Sequence, residues 1–153
     1  MNKINLTICI PTFNRSEYLF RLLSILAKVD SSILSSLEVK IFDNNSTDKT
    51  QEIVKGFKDT FRLIYKKQKV NIGGTKNVID IIQNCNGKYI WVLGDDDYIK
   101  IEQFEEFYNE FIIDKPANTW YFVGFEGEDG SIPFKFDKIS SYFEKNNLEK
   151  TIH

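Results

Sequence analysis

Short apolar runs alternate along the chain with segments in which apolar residues recur at helical spacing. Apolar runs of about four to eight residues are typical of buried strands. The strands predicted in this way cover residues 6–10, 37–42, 61–65 and 88–93. A helix is predicted after each strand, and these helices end near residues 26, 56, 86 and 111. Four strand–helix repeats predict an α/β protein whose mainly parallel sheet has helices on both faces.

The first predicted helix has a defined start, because Asn14 followed three residues later by Glu17 matches an N-terminal capping box. Beyond residue 115 the pattern is less regular. It predicts a fifth strand at 119–125, a turn at 127–130, a hairpin partner at 132–136 and a last helix at 139–147. A length of 153 residues fits a single domain.

The composition narrows the functional classes. A net charge of −2 argues against a nucleic-acid partner. The chain shows no signal-peptide pattern and no apolar run near the ~20 residues of a membrane span, so we expect a soluble, cytoplasmic protein. In that compartment Cys9 and Cys85 are expected to be reduced, buried thiols. A basic patch is expected to be solvated, with weak peripheral contact to phosphate or to the inner membrane surface as the alternative; it consists of Arg62, Lys66, Lys67 and Lys69.

Three consecutive carboxylates, Asp95, Asp96 and Asp97, follow the fourth predicted strand. Adjacent negative charges repel one another unless they are solvated or a cation lies among them. Mg²⁺ and Mn²⁺ prefer such oxygen ligands, and Mg²⁺ commonly uses one or two carboxylates together with substrate phosphates. The cluster therefore indicates a divalent-metal site, and an ordinary polar turn is the alternative.

Polar clusters follow all four predicted strands. In an open parallel sheet the carboxyl ends of the strands lie at one edge, and ligands bind in the crevice there. The clusters comprise residues 11–15, 43–48, 71–74 and 95–97. We therefore expect them to meet at one rim, although connecting loops are polar in many proteins without any ligand.

A nucleotide with a metal ion suits this set of side chains. Asp43 is suited to accept a hydrogen bond from a base N–H, and Phe13 to pack against the face of a base. Gly73 and Gly74 allow a phosphate or sugar to approach the backbone, and a helix N-terminus favours anions. A divalent cation would neutralise a diphosphate. Each feature has a structural alternative: a turn cap for Asp43, a core position for Phe13 and a loose loop for the glycines.

Four segments, in this order, resemble the donor-binding half of family 2 glycosyltransferases with the GT-A fold. They are IPTFNR at 10–15, FDNNSTD at 42–48, NIGGTKN at 71–77 and LGDDD at 93–97. The resemblance covers roughly residues 4–115. It implies a single-domain GT-A protein in which residues 1–115 form an α/β region that binds a nucleotide-sugar donor. Residues 116–153 would be a shortened acceptor-side or oligomerisation extension.

The resemblance also implies roles for individual residues. The expected donor is a UDP-sugar, with Asp43 bound to the uracil N–H. Asp97 and Asp95 would hold Mn²⁺ or Mg²⁺ as the family's DXD element, and a second register of the three carboxylates stays open. The nucleotide-sugar site would comprise Pro11, Thr12, Phe13, Asn14, Arg15, Asp43, Asn45, Asn71, Gly73, Gly74, Lys76, Asp95 and Asp96.

The activity implied by the resemblance is transfer of a sugar, with inversion, to a sugar, a lipid-linked sugar or a glycan acceptor. A base must deprotonate the acceptor hydroxyl. In the family that base lies well beyond the DXD element, where this chain offers Glu126, Glu128 and Asp129 as candidates, with a simple turn as the alternative. No catalytic role is expected for His153. Aromatic residues between 120 and 143 suggest a homo-oligomer as a further hypothesis.

Two other functions are open from the sequence. The first is a nucleotide-sugar-binding module that is catalytically incomplete and needs a partner chain. The second is a phosphatase of the haloacid-dehalogenase type, because Asp43, Asn45 and Thr47 echo that family's nucleophile motif, although the second Asp is replaced by Asn45. A dehydrogenase is excluded because no Gly-x-Gly-x-x-Gly follows the first strand, and the glycines at 73–74 lack the spacing of a kinase P-loop.

Overall fold

The structure, a computed structural model, describes residues 3–85 and 87–113. In this part of the chain the strands are β1 (Leu6–Thr12), β2 (Leu37–Asp43), β3 (Arg62–Lys67) and β4 (Tyr89–Val92). The helices are α1 (Ser16–Leu26), α2 (Ser31–Leu34), α3 (Thr50–Gly56), α4 (Gly74–Gln83) and α5 (Ile101–Phe107), which continues into a π-helical turn (Tyr108–Ile112). The elements predicted at 119–125, 132–136 and 139–147 lie outside the described residues.

The strands form one parallel sheet in the order β3-β2-β1-β4. Helices cover both of its faces. Ile81 of α4 packs on Cys9 and Phe42, whereas Phe104 of α5 stacks on Trp91 with ring centroids 5.7 Å apart. Val92 pairs with Cys9, and Trp91 precedes it, so these helices lie on opposite faces because successive side chains of a strand alternate. The predicted α/β architecture is confirmed.

The first strand is longer than predicted. The sequence predicted a strand over residues 6–10, ending before Pro11, but β1 continues through Pro11 to Thr12. The Cys9 carbonyl accepts from Leu93 N–H beside β4, and the Thr12 carbonyl accepts from Asn44 N–H beside β2. The backbone nitrogen of Pro11, which carries no hydrogen, therefore faces the β4 side of the strand. It lies beyond the last residue pair between β1 and β4, which is Cys9 with Val92. At that position proline removes no ladder hydrogen bond.

The predicted capping box is wrong. The N-cap of α1 is Arg15, and no side chain of the helix start caps it. Asn14 instead has φ 53°, a left-handed conformation that asparagine tolerates. The first helical N–H, of Ser16, donates to Asp48 at 2.9 Å, so the cap comes from the loop after β2.

The two cysteines differ in exposure. Cys9 is buried in β1, as expected. Cys85, just beyond α4, is half-buried, so the prediction of a second buried thiol is wrong. Both are free thiols.

Candidate functional site

The carboxyl ends of β1, β2 and β4 meet around a cavity of about 290 Å³ at one edge of the sheet. The described residues that line it come from the loops after β1, β2 and β4 and from the first turns of α4. They are Pro11, Thr12, Phe13, Arg15, Asn44, Gly74, Asn77, Val78 and Asp95. Loops far apart in sequence are thus gathered at a common rim, as the order of elements predicts.

The loop after β1 is bonded directly to the loop after β2. The backbone N–H of Asn14 donates to Ser46 Oγ at 2.8 Å, and Asn14 Oδ1 accepts from the N–H of Thr47 at 2.8 Å. The left-handed conformation of Asn14 turns the chain between the cavity residue Phe13 and Arg15. Asn14 therefore shapes the rim through its own bonds and is not itself among the residues lining the cavity.

Asp43 lies behind the cavity wall. It is fully buried, with Oδ1 accepting from Ser46 N–H at 2.6 Å and Oδ2 accepting from the Tyr65 hydroxyl at 2.6 Å. Burial, together with the bond to Asp43, raises the pKa of Tyr65 above its usual value, so this hydroxyl stays a neutral donor. With both oxygens bonded and no exposed surface, Asp43 supports the loop after β2, and its direct contact with a base stays a prediction.

The next residue, Asn44, lines the cavity and joins the loops after β2 and β3. Its Oδ1 accepts from the N–H of Ile72 at 2.9 Å, and its Nδ2 donates to Asn71 Oδ1 at 2.9 Å. Asn71 Oδ1 also accepts from the N–H of Gly73 at 2.9 Å. Two backbone donors thus fix the orientation of both amides. The segment FDNNSTD does not distinguish these neighbours, because both are buried and only the folded chain shows that Asn44, and not Asp43, lines the cavity.

The start of α4 forms the wall opposite β1. Gly73 is its N-cap with φ 85°, a conformation that side chains rarely adopt. Gly74 lines the cavity, and Asn77, one turn later, donates from Nδ2 to the Phe42 carbonyl at 2.7 Å. Lys76 is exposed on the same turn and is not among the lining residues. The helix N-terminus therefore faces the cavity with backbone donors.

Asp95 forms the acidic side of the cavity. Its Oδ2 accepts from Thr12 Oγ1 at 2.7 Å, and its Oδ1 is 3.1 Å from Arg15 Nη1. Burial raises the pKa of the Asp95 carboxyl above its usual value, although the bonds from Thr12 and Arg15 oppose the rise. The hydrogen bond to Asp95 in turn raises the pKa of Arg15. The pair keeps a positive and a negative group side by side at the cavity.

Asp96 and Asp97 point to different partners. Asp96 Oδ2 is 2.9 Å from Arg15 Nη1, so Asp95 and Asp96 converge on the same cation. Arg21 Nη2 donates to the Asp96 carbonyl at 2.6 Å and holds this turn against α1. Asp97 Oδ2 instead accepts from the N–H of Gly94 at 2.7 Å. Asp95 and Asp96 therefore share one guanidinium, whereas Asp97 bonds within its own turn, and the assignment of a metal to any of the three carboxylates stays a prediction.

Of the residues predicted for this site, six line the cavity: Pro11, Thr12, Phe13, Arg15, Gly74 and Asp95. Asp43, Asn71 and Gly73 do not line it but take part in the hydrogen bonds that hold the loops around it. Asn45 turns the loop after β2 with φ 73°. Sequence reasoning missed three lining residues, Asn44, Asn77 and Val78. For Asn44 and Asn77 the signal was their place in the segments 42–48 and 71–77 that carry the resemblance, whereas Val78 is an ordinary helix position in the sequence.

Some predictions concern residues outside the described part of the chain: Glu126, Glu128, Asp129, His153 and the aromatic residues between 120 and 143. Within residues 3–85 and 87–113, no group of three or more Asp, Glu, His or Cys side chains is arranged to hold a metal ion. Over the same residues, no helix has the length and apolar character that crossing a membrane would require.

The geometry also argues against the phosphatase alternative. A nucleophilic aspartate must reach its substrate, but Asp43 is fully buried with both oxygens bonded. The cavity-lining residue beside it is an amide, Asn44, which is not a nucleophile of that chemistry.

Comparison with known proteins identifies the family. The family model described as glycosyl transferase family 2 matches residues 7–153. The abequosyltransferase RfbV of Salmonella typhimurium is 37% identical over 94 residues, which cover 60% of this chain and 28% of that protein. TarS of Staphylococcus aureus, a poly(ribitol-phosphate) beta-N-acetylglucosaminyltransferase, is 29% identical over 101 residues, covering 65% of this chain and 18% of that protein.

Solved structures agree with these sequence matches. The structure of S. aureus TarS 1-349 in complex with UDP-GlcNAc has a TM-score of 0.63 and 29% identity, over 69% of this chain and 31% of that one. The chain thus spans less than a third of the length of these relatives. With a parallel sheet of the same kind and a family match over nearly all of its length, the chain belongs to glycosyl transferase family 2.

Proposed function

We propose that this chain is a glycosyltransferase, or the donor-binding part of one, that transfers a sugar from a UDP-sugar to a sugar, lipid-linked sugar or glycan acceptor. Residues 1–115 would bind the donor, and residues 116–153 would belong to the acceptor side or to an oligomer contact. The family membership supports sugar transfer. The uridine assignment is supported by the TarS structure, which was determined with UDP-GlcNAc.

One observation carries the proposal: a continuous set of hydrogen bonds runs around the cavity rim. It passes from Asn71 to Asn44, from the Asn44 backbone to β1 at Thr12, and from Thr12 to Asp95 and Arg15. Such bonding fixes polar groups before a ligand arrives, and preorganised groups lose little freedom on binding. A rim that is polar at both ends with an open aromatic ring in it suits a nucleotide.

The base end of the site is assigned to the β1 and β2 loops. Phe13 lines the cavity and is 41% exposed, so its ring has a free surface on which a base can stack. Asn44, beside it, offers amide groups whose orientation is fixed by Ile72 and Asn71. Asp43 supports this loop, and its direct contact with uracil, expected from the sequence, stays a prediction.

The diphosphate end is assigned to the N-terminus of α4 and to Arg15. The first N–H groups of a helix have no intrahelical partner and carry partial positive charge, so they attract phosphate. Gly74 presents this end to the cavity, and Arg15, half exposed, adds a full positive charge. Bidentate contact between arginine and phosphate is a strong, oriented interaction.

Asp95 and Asp96 fit a divalent ion, because they already converge on one positive group and leave other positions for phosphate oxygens. They would hold Mn²⁺ or Mg²⁺, which when bound would stabilise charge on the departing nucleoside diphosphate. Arg15 would then exchange its carboxylate partners for the phosphates. Thr12 keeps Asp95 oriented throughout, since its hydroxyl donates to the other carboxylate oxygen.

Direct displacement at the anomeric carbon, with inversion, is the proposed route. It requires a base on the acceptor side to take the proton of the attacking hydroxyl. Glu126, Glu128 and Asp129 stay the candidates for that role. The rigid rim contributes by holding the donor so that one face of its sugar is presented to the acceptor.

The test is calorimetric titration with UDP, with and without Mn²⁺, together with melting temperatures. UDP plus Mn²⁺ should raise the melting temperature, because a ligand that binds only the folded state stabilises it by mass action. Asp96→Ala should remove the metal-dependent part of binding. The matched control is Asp59→Ala, a carboxylate on an exposed pair with Lys58, which should bind as the parent does.

CDP and GDP in place of UDP test the base. Comparable affinity for all three would contradict the uridine assignment, and no binding of any at millimolar concentration would contradict the donor site itself. Release of UDP from a UDP-sugar that depends on an added acceptor separates a complete enzyme from the incomplete binding module. Binding without such release would favour the module that needs a partner chain.

A further inference from the structure

Two sulfur atoms from distant parts of the chain lie side by side, one in β1 and one just beyond the end of α4. Cys9 Sγ and Cys85 Sγ are 2.8 Å apart, although the residues are 76 positions apart in sequence. Cys85 Sγ also donates to the Ile81 carbonyl at 3.1 Å, so the Cys9 thiol is left as the donor between the two sulfurs. The pair belongs to a small apolar cluster with Phe42 and Ile81.

The fold gives the two thiols different access to solvent. Cys9 is fully buried in the centre of the sheet, whereas Cys85 is half-buried just beyond the end of α4. Burial raises the pKa of the Cys9 thiol well above its usual value, and the hydrogen bond with Cys85 adds to the rise. Thiolate, not thiol, attacks a disulfide. A reagent from solvent therefore meets Cys85 first, and Cys9 is in position to react second.

We propose that Cys9 and Cys85 are a redox modification site that forms a reversible intramolecular disulfide with small-molecule disulfides such as glutathione disulfide. The Cys85 thiolate attacks one sulfur of glutathione disulfide, forms a mixed disulfide and releases one glutathione thiolate. Cys9 then passes its proton to the released glutathione thiolate and attacks Cys85 Sγ, which forms the Cys9–Cys85 bond and breaks the mixed disulfide. The second glutathione leaves as a thiolate and takes up the proton that Cys85 had released to solvent. Two protein thiols are oxidised and one glutathione disulfide is reduced to two glutathione molecules.

The bond would join two elements that line the cavity. Cys9 lies in β1, whose end carries Thr12, and Cys85 follows α4, whose first turn carries Gly74. A cross-link between them limits how far α4 can move from the sheet. The site does not rest on the proposed function, because the chemistry needs only the two thiols and the oxidant.

The test treats the folded chain with glutathione disulfide, then blocks remaining thiols with N-ethylmaleimide and measures the intact mass. The expected product has lost two hydrogen atoms, carries no maleimide, and migrates as a monomer on a non-reducing gel. Dithiothreitol should restore both thiols. In Cys85→Ser, Cys9 should stay unmodified, since its sulfur is buried and has lost its partner.

Three outcomes would overturn the proposal. They are retention of two free thiols, a glutathione adduct that persists on Cys85, and a disulfide between two chains. Circular dichroism establishes that Cys85→Ser is folded, and Cys85→Ala serves as the second variant. Peptide mapping of the oxidised parent must find the 9–85 linkage itself, which a structural role of either cysteine would not produce.

Discussion

The loop after β2 and the loop after β4 carry the same chemistry at the same edge of the sheet but use it differently. Asp43, which begins the first, is fully buried, and both of its oxygens are bonded within the fold. Asp96, in the second, is half exposed and shares a single guanidinium with Asp95. The first loop uses its carboxylate to build the rim, and the second keeps carboxylates within reach of a ligand.

The difference teaches how to read a carboxylate at a strand end. A buried carboxylate is stable only if its oxygens are bonded, and a ligand then reaches it only where it also lines a cavity, as Asp95 does and Asp43 does not. An exposed carboxylate held by one cation contributes little to folding, because solvent screens the pair. Both loops therefore lie at the same sheet edge, and access to the cavity or to solvent separates a supporting carboxylate from a binding one.

The largest effect on stability is expected for Asp43→Ala. The change leaves the buried Ser46 N–H and the half-buried Tyr65 hydroxyl without this partner, and a buried unsatisfied group costs about 1–3 kcal/mol. We expect a loss of about 2–4 kcal/mol in the free energy of unfolding, measured by urea denaturation. Asp96→Ala is the matched control, with an expected change below about 0.5 kcal/mol. Equal losses in the two variants would remove the distinction between the loops.

The next effect is expected in binding, for Arg15→Gln. Arg15 bridges Asp95 and Asp96 and lines the cavity, so its loss removes the positive charge proposed to receive phosphate. We expect about a tenfold weaker affinity for UDP, roughly 1.4 kcal/mol, with a smaller change in unfolding free energy. Arg15→Lys keeps the positive charge but lacks the planar guanidinium group. Its affinity for UDP should therefore lie between those of the parent and of Arg15→Gln. Unchanged affinity in Arg15→Gln would place the phosphates elsewhere.

A smaller effect follows from the raised pKa of Asp95. Because burial raises this pKa in the folded state, the carboxyl contributes stability that is fully present below the unfolded value, about 3.9, and is lost as pH rises through the folded value. The stability of the parent relative to Asp95→Asn should therefore fall as pH increases from about 4. Urea denaturation of both proteins at several pH values above about 4 measures this difference in the free energy of unfolding. A difference that grows with pH would mean that Thr12 and Arg15 outweigh burial.

The sequence was enough to predict the fold and the rim, because both follow from alternation of strands and helices. The structural roles of Pro11 and Arg15 were harder to predict from the sequence. Strand β1 passes through Pro11 only because β4 has already ended beside it, which depends on register. Arg15 was expected to bind a nucleotide, but its pairing with two aspartates 80 and 81 positions away is a tertiary fact. Likewise, Asp43 and Asn44 are both buried, and only the tertiary structure shows that Asn44 lines the cavity.

The smallest expected effect tests whether the loop after β2 also organises the helices around the rim. Asp48 Oδ2 accepts from the N–H of Ser16 at 2.9 Å, and its Oδ1 accepts from the N–H of Thr50 at 3.0 Å, so one side chain caps both α1 and α3. Burial raises the pKa of Asp48, but the bonds from Thr50 and Ser16 together hold it below its usual value. Asp48→Ala should lower the free energy of unfolding by about 0.5–1 kcal/mol, typical of a lost cap.

A pKa that is lower in the folded state than in the unfolded state gives stability that is present above the unfolded pKa and lost as pH falls. The difference in stability between parent and Asp48→Ala should therefore shrink below about pH 4. A difference that stays constant down to pH 2 would show that the charge of Asp48 is irrelevant and that only its shape supports the two helix starts.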